Sequence, residues 1–320
     1  MFRMDALRSL AQSQGFFTRA QTRDLGYDDR GVTRAVRVGV WLRIRRGYYV
    51  FAEKWSGLDD LGRHLVRSHA VLHSLGDEVA LSHVSGVVQH GIAIWDMDLS
   101  RVHVTRLDGA PGRIEPDVVH HVGRCVEGDV VNVGGHRVLA ADRCVLEAGS
   151  RVGGERALIM LDSGLHLEKF CAQLLERRFQ QMARWPYLRS MHIPVRLADG
   201  RAGSAGETRG MFFFWSHHIP APQPQFEVYD HGGELVGTTD WGWPDHGVLG
   251  EFDGRVKYGR LLKPGQEPGD VVFAEKQRED RLRDVSGHQM IRIVWDDYAR
   301  PRVLEARIRA KLGLRPGATG

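Results

Sequence analysis

The sequence predicts a mixed α/β protein of three domains. These are a small helix-turn-helix with a two-stranded ribbon over residues 1–52, an α+β middle over 53–170 and an α/β core over 171–320. Three observations carry this. The chain of 320 residues exceeds what one hydrophobic core ordinarily serves and suffices for two or three. Its charge is unevenly spread: residues 1–50 hold ten Arg against four Asp, a net of +6, whereas the whole chain carries +4, so the other 270 residues carry about −2. In each part helical periodicity gives way to short alternating strands punctuated by Gly and Pro.

Composition bounds the function. The 42% hydrophobic and 26% charged residues are those of a globular chain. No run of about 18 apolar residues could cross a bilayer, and no apolar segment with a small-residue cleavage site opens the chain, so a cytoplasmic protein is expected. Cys125, Cys144 and Cys171 are odd in number and widely spaced, which suggests neither a disulfide framework nor a CxxC metal site. Among sixteen histidines, the adjacent pairs His120, His121 and His217, His218 lack the i, i+4 spacing of a helical zinc site, and no structural zinc is expected. The concentrated positive charge suits a polyanionic partner.

A first helix starts at Asp5, whose side chain can cap it, and presents Ala6, Leu7, Leu10 and Ala11 on one side until Gly15 stops it. Phe16 to Thr18 is extended, and Thr18 caps a second helix over Arg19 to Leu25, closed by Gly26. A third runs from Asp28 to Val38 with Val32, Ala35 and Val36 on one side and Arg30, Thr33, Arg34 and Arg37 across the rest. Trp41 to Arg46, a turn at Gly47 and Tyr48 to Val50 then read as two strands around a tight bend. Strand alternation sends Leu42 and Ile44 one way and Arg43 and Arg45 the other. Taken alone the basic ribbon is a solvated surface; behind a basic third helix it is a wing that touches phosphates while the helix enters the major groove.

The run "GFFTRAQTRDLGYDDRGVTRAVRVGVWLRIRRGYYV" resembles the winged-helix domain that opens AbiEi-type antitoxins of type IV toxin–antitoxin systems. The resemblance implies a winged helix-turn-helix that binds operator DNA and represses its own operon. DNA contact is then expected through Arg30, Thr33, Arg34 and Arg37 and through the wing arginines Arg43, Arg45 and Arg46. It also implies a nucleotidyltransferase-type toxin as partner, at the level of the operon or of the protein.

In the middle of the chain an amphipathic helix spans Leu58 to His73, and Ala80 to His83 leads into a short helix ending near Gly91. Strands are expected at Val102 to Thr105, Val118 to His121, Val130 to Val133 and His136 to Leu139, followed by helices at Ala140 to Ala148 and Glu155 to Ser163. The phrase "LSHVSGVVQHGI" is similar to the continuation in AbiEi-like proteins. His83 and His90 read as partly buried, hydrogen-bonded histidines, and the domain as a spacer or partner-binding platform.

Beyond Gly203, Glu207 falls in a helix running into Met211 to Phe214 and broken by Pro220, Pro222 and Pro224. Strands follow at Gln225 to Asp230, Glu234 to Trp241 and Val248 to Asp253, separated by turns at His231 to Gly233 and Pro244 to Gly247. Asp240 stands at the end of the second strand; Glu251 and Asp253 share a face of the third, with Phe252 opposite. Such a trio is either a polar hairpin of solvated acids or a cation site, since gathered carboxylates repel unless a cation joins them. Mg2+, or Mn2+ in its place, accepts a few carboxylate oxygens and takes phosphate oxygens as further ligands, which suits phosphodiester hydrolysis.

The order of Glu207, "TTDWGWPDHGVLGEFDGRVKYG", "EKQREDRLRDVSG" and "HQMIRIVWDD" resembles the PD-(D/E)XK nuclease superfamily, and more closely the domains related to very-short-patch repair endonucleases. The resemblance covers about 100 residues. It implies a restriction-endonuclease-like α/β core with Asp240 and Glu251 as metal ligands, Asp253 as a third and Glu207 as an outer one. The superfamily places a lysine where Asp253 stands, so Lys257 or Lys276 would have to replace it. The helix over Ala274 to Val285 carries Lys276, Arg278, Arg281 and Arg283 among acids at pairing distance, and in resembling domains it packs beside the site, near a bound phosphate. Three functions follow from the sequence: a DNA endonuclease with an AbiEi-like reader, a non-enzymatic antitoxin and autorepressor on a degenerate nuclease fold, or a defence or mobile-element nuclease whose winged helix supplies only non-specific affinity.

Overall fold

The computed structural model describes residues 2–254 and 268–315. The chain divides into two compact units, residues 1–196 and 197–320. No described helix is long and apolar enough to cross a membrane.

The first unit opens with α1 (Phe2–Gln14), β1 (Phe17–Thr18), α2 (Arg19–Asp24), α3 (Asp29–Arg37), β2 (Trp41–Arg45) and β3 (Tyr48–Phe51), with the strands in the order β1-β3-β2. Helix α1 begins at Phe2, so Asp5 lies inside its first turn rather than capping it, whereas α2 and α3 each start at a side-chain cap. Thr18 accepts a hydrogen bond from Gln21 N while the Gln21 side chain returns to Thr18 N at 2.7 Å, a capping box. Asp28 caps α3 by accepting from Gly31 N at 2.7 Å. Leu7, Phe17, Val32, Trp41, Tyr49 and Phe51 form the small core. Trp41, fully buried, packs edge-on against Phe17.

The chain continues through α4 (Ala52–Ser56), α5 (Asp60–Leu75), β4 (Val79–Leu81), α6 (His83–Gln89), β5 (Val102–Arg106), β6 (Arg113–Ile114), β7 (Val118–His121), β8 (Val130–Val133), β9 (His136–Leu139), α7 (Ala141–Gly149) and α8 (Gly154–His166). The six strands lie in the order β6-β7-β5-β4-β9-β8, with β4 parallel to β9, β5 parallel to β7 and the rest antiparallel. Helix α7 is buried along its whole length. Gly86 lets α6 approach it, because a Cβ there would lie 2.3 Å from Cys144 Sγ.

Helix α9 (Ala172–Gln181), which the sequence reading assigns to the last domain, belongs to the first unit, as does most of α10 (His192–Leu197). Helix α9 buries Leu175 and Phe179 and supplies counter-charge. Arg178 donates to Asp129 at 2.6 Å and to Asp142 at 3.0 Å, and Arg143 bridges Asp129 at 2.6 Å and Glu147 at 2.9 Å. These acids and Arg143 are almost wholly buried, so each needs its counter-charge in place.

The second unit holds α11 (Ala205–Ser216), β10 (Gln223–Tyr229), β11 (Leu235–Trp243), β12 (Val248–Asp253), α12 (Pro268–Ser286), β13 (Gln289–Val294) and α13 (Pro301–Lys311). Its sheet runs β10-β11-β12-β13, antiparallel except for the parallel pair β12 and β13. One face carries Trp241, Trp243, Val248, Ile291 and Ile293 against Phe213 and Phe214 of α11 and Leu304 and Ile308 of α13. The other carries Val228 and Leu249 against Leu282 of α12.

Candidate nucleic-acid interface and carboxylate face

Helix α3 turns Val32 into the core and leaves Arg30, Thr33, Arg34 and Arg37 exposed. None of the three arginines forms an ion pair with a described residue. The Thr33 hydroxyl donates back to Asp29 O at 2.8 Å. In the wing, Arg43 and Arg46 are exposed and likewise have no ion pair with a described residue. Arg45 departs from the expected alternation. A register shift between Arg43 and Arg45 turns its guanidinium to Asp117 at 2.6 Å and Glu115 at 3.6 Å. The expected seven-residue set therefore reduces to five outward cations and one hydroxyl, with Arg45 tied to the middle sheet.

The sheet of the second unit brings Asp240, Glu251 and Asp253 to the face covered by α12. Glu251 and Asp253 alternate with Phe252, which packs on the opposite core. The β11–β12 pairing of Trp241 with Gly250, carried one step further, sets Asp240 opposite Glu251. Asp240 lies within β11 rather than at its end, and its Oδ2 accepts from Phe252 N at 2.7 Å. Glu251, 7% exposed, is ion-paired with Arg278 of α12 and lies 3.6 Å from Arg292, its register partner on β13. Arg292 also reaches Glu279 at 2.8 Å and Asp253 at 3.9 Å, and Arg278 donates to Thr238 O at 3.1 Å.

Glu207 is buried, and its carboxylate accepts from Ser204 Oγ at 2.7 Å, Gly203 N at 2.8 Å and Gln225 Nε2 at 3.0 Å. It closes the N-terminus of its own helix and ties that helix to β10. Lys257 lies outside the described residues, as does the side chain of Lys276 on α12. Arg281 is exposed, and Arg283 pairs with Asp280 at 4.0 Å.

Tested against a divalent ion, the described carboxylates are a poor fit as they stand. Two guanidiniums already neutralise Glu251, and Asp240, Glu251 and Asp253 are not a group of donors within 4.8 Å of one another. Among the described residues, that criterion is met by His83, His103 and His121. These three are far apart in sequence: His83 opens α6, while His103 and His121 stand on the paired strands β5 and β7. The available signal was parity, since His103 lies between the core residues Val102 and Val104, and His121 follows the alternating pair Val118 and His120, both buried. Burial, chiefly, depresses all three, with His103 brought down to about 4 and His121 to about 3.

Residues 5–52 match the family described as "Transcriptional regulator, AbiEi antitoxin". Two relatives from Mycobacterium tuberculosis, uncharacterized protein MT2308 of strain CDC 1551 / Oshkosh and uncharacterized protein Rv2248 of strain ATCC 25618 / H37Rv, are each 28% identical over 205 residues, covering 63% of this chain and 72% of theirs. The crystal structure of RV2827C protein from Mycobacterium tuberculosis aligns with 70% of this chain and 87% of its own, at 13% identity and a TM-score of 0.39. The opening segment, from α1 to the end of β3, is thus similar to the AbiEi antitoxin regulators.

Proposed function

We propose that the chain is a DNA-binding transcriptional regulator of antitoxin type, which reads an operator before its own gene through α3 and the wing. Its partner on this reading is a toxin of nucleotidyltransferase type. The observation that carries it is the set of exposed arginines, Arg30, Arg34 and Arg37 on α3 with Arg43 and Arg46 on the wing, none ion-paired with a described residue. A helix with one apolar side in a core and a row of uncommitted guanidiniums outside is suited to the major groove, with the wing on the flanking backbone. The test is binding of the purified chain to duplex from upstream of its gene against shuffled duplex of equal length. Equal affinity for the two would refute operator recognition.

A second reading, Mg2+-dependent hydrolysis of DNA, draws on the shared face of Asp240, Glu251 and Asp253 and on a core ordered as a helix, three antiparallel strands, a helix and a parallel fourth strand. It requires Arg278 and Arg292 to release Glu251. Plasmid nicking by the parent with Mg2+, lost in Asp240→Ala, would establish it. No nicking by the parent leaves the regulator alone.

A further inference from the structure

We propose that His83, His103 and His121 bind one divalent transition-metal ion, with zinc the best match to the ligand set. Imidazole nitrogens suit zinc, copper, nickel and iron, whereas magnesium and calcium take oxygen donors. The three donor atoms already lie within 4.8 Å of one another. His103 Nδ1 and His121 Nε2 face each other at 2.9 Å, and the His83 and His121 rings stack at 3.6 Å. A tetrahedral ion with Zn–N bonds of about 2.0–2.1 Å holds its nitrogens about 3.3 Å apart, a spacing these ring nitrogens reach once the His83 ring turns out of its stack on His121 and the His103–His121 hydrogen bond opens.

The backbone holds these rings in place. β5 and β7 pair in parallel with His103 beside Val119 and Thr105 beside His121, which puts both imidazoles on one sheet face two positions apart. His83 follows β4, whose Leu81 pairs with Val104. It has φ of +49°, a left-handed conformation that is costly for a non-glycine residue and that clusters at functional sites.

Behind His83 stands an orienting group. Its Nδ1 is hydrogen-bonded to Ser82 Oγ at 3.1 Å, and Glu147 Oε2, which has no hydrogen-bond partner among the described residues, stands 3.2 Å from the same nitrogen, which leaves Nε2 as the ligand atom. Glu147 is itself fixed by Arg143. A buried carboxylate on the far nitrogen of a histidine is the usual second support of a zinc ligand, fixing the tautomer and raising basicity. Three protein ligands leave the fourth position to water or an anion, as in catalytic rather than structural zinc sites. The positive charge of Arg151, which acts on all three rings, favours the anion.

The experiment uses the full chain, stripped with a chelator and titrated with Co2+ as a spectroscopic probe, then with Zn2+ in competition. The expected result is one equivalent of Co2+ with tetrahedral visible absorption, displaced by Zn2+. His103→Gln and His121→Gln each weaken binding by more than about 100-fold, beyond the 10–100-fold typical of losing a supporting group. His217→Gln leaves it unchanged. X-ray absorption on the zinc-loaded parent, which needs no variant, reads three imidazole scatterers. No one-equivalent endpoint, fewer than three imidazoles, or a folded His103→Gln/His121→Gln double variant that binds like the parent overturns the site.

Discussion

Replacing Arg30, Arg34 and Arg37 together by alanine separates an interface from a merely basic surface. Those three and Arg43 and Arg46 are exposed and have no ion pair with a described residue. With one phosphate each, counterion release gives a slope of log K against log salt of about −4.5 per chain, at ~0.9 per contact. Raising salt from roughly 50 to 200 mM then weakens binding about 500-fold, and the triple variant, with a slope of about −1.8, loses only about 12-fold over the same range. Arg45→Ala is the internal control. Its guanidinium is held 2.6 Å from Asp117, so the slope should move by less than about 0.3. Fluorescence anisotropy of labelled upstream duplex across the salt range reads the parent, the triple variant, Arg34→Ala and Arg45→Ala. A triple variant with the slope of the parent would sink the assignment of α3, and an Arg45→Ala slope shifted as far as that of Arg34→Ala would show that the ion pair opens on DNA.

Three further outcomes follow from packing and charge. In Gly206→Ala and Gly210→Ala the new Cβ would lie 2.0 Å from the Phe252 ring and 2.3 Å from Trp241, and overpacking against these rings should cost about 1–3 kcal/mol each; a urea midpoint equal to that of the parent would contradict the close approach of α11. Glu251→Ala removes the carboxylate between Arg278 and Arg292 and should lower stability by about 1–3 kcal/mol while leaving DNA affinity intact, which urea melts and anisotropy measure separately. The pH dependence has a definite sign. His83, His103 and His121 titrate below their ordinary range in the fold, so below about 6.5 the unfolded chain takes protons that the fold refuses. Stability of the metal-free protein is therefore full at neutral pH and falls as pH drops towards the folded values of about 4 and about 3. A His103→Gln/His121→Gln variant with an equally steep loss would contradict this cause.

The local elements were legible because their causes are local. Thr18 caps α2 at the expected residue and α3 starts within one residue of its expected bound, with Asp28 as its cap, Gly15, Gly26, Gly39 and Gly47 take the positive φ their turns require, and strand alternation divides Phe252 from Glu251. The outward face of α3 was legible for the same reason, since one buried position, Val32, fixes the whole helical wheel. What escaped depends on partners distant in sequence. Nothing near Arg45 announces Asp117, 72 residues away. Glu251 reads as a metal ligand until Arg278 and Arg292 are seen to neutralise it. The histidine cluster needs the β5–β7 register, which no local pattern in either strand specifies, and the assignment of α9 needs Arg178 to be matched with Asp129 and Asp142.

That last match decides where the chain can be cut. A fragment ending at residue 170 would keep α7 and discard Arg178, leaving the Asp142 carboxylate, 2% exposed, without its guanidinium partner inside a hydrophobic layer. An uncompensated buried charge of this kind typically destabilises by about 3–5 kcal/mol, enough to turn a soluble product into an aggregating one. Expression of the amino-terminal half is thus better bounded after α10, where the polypeptide carries its own counter-ions.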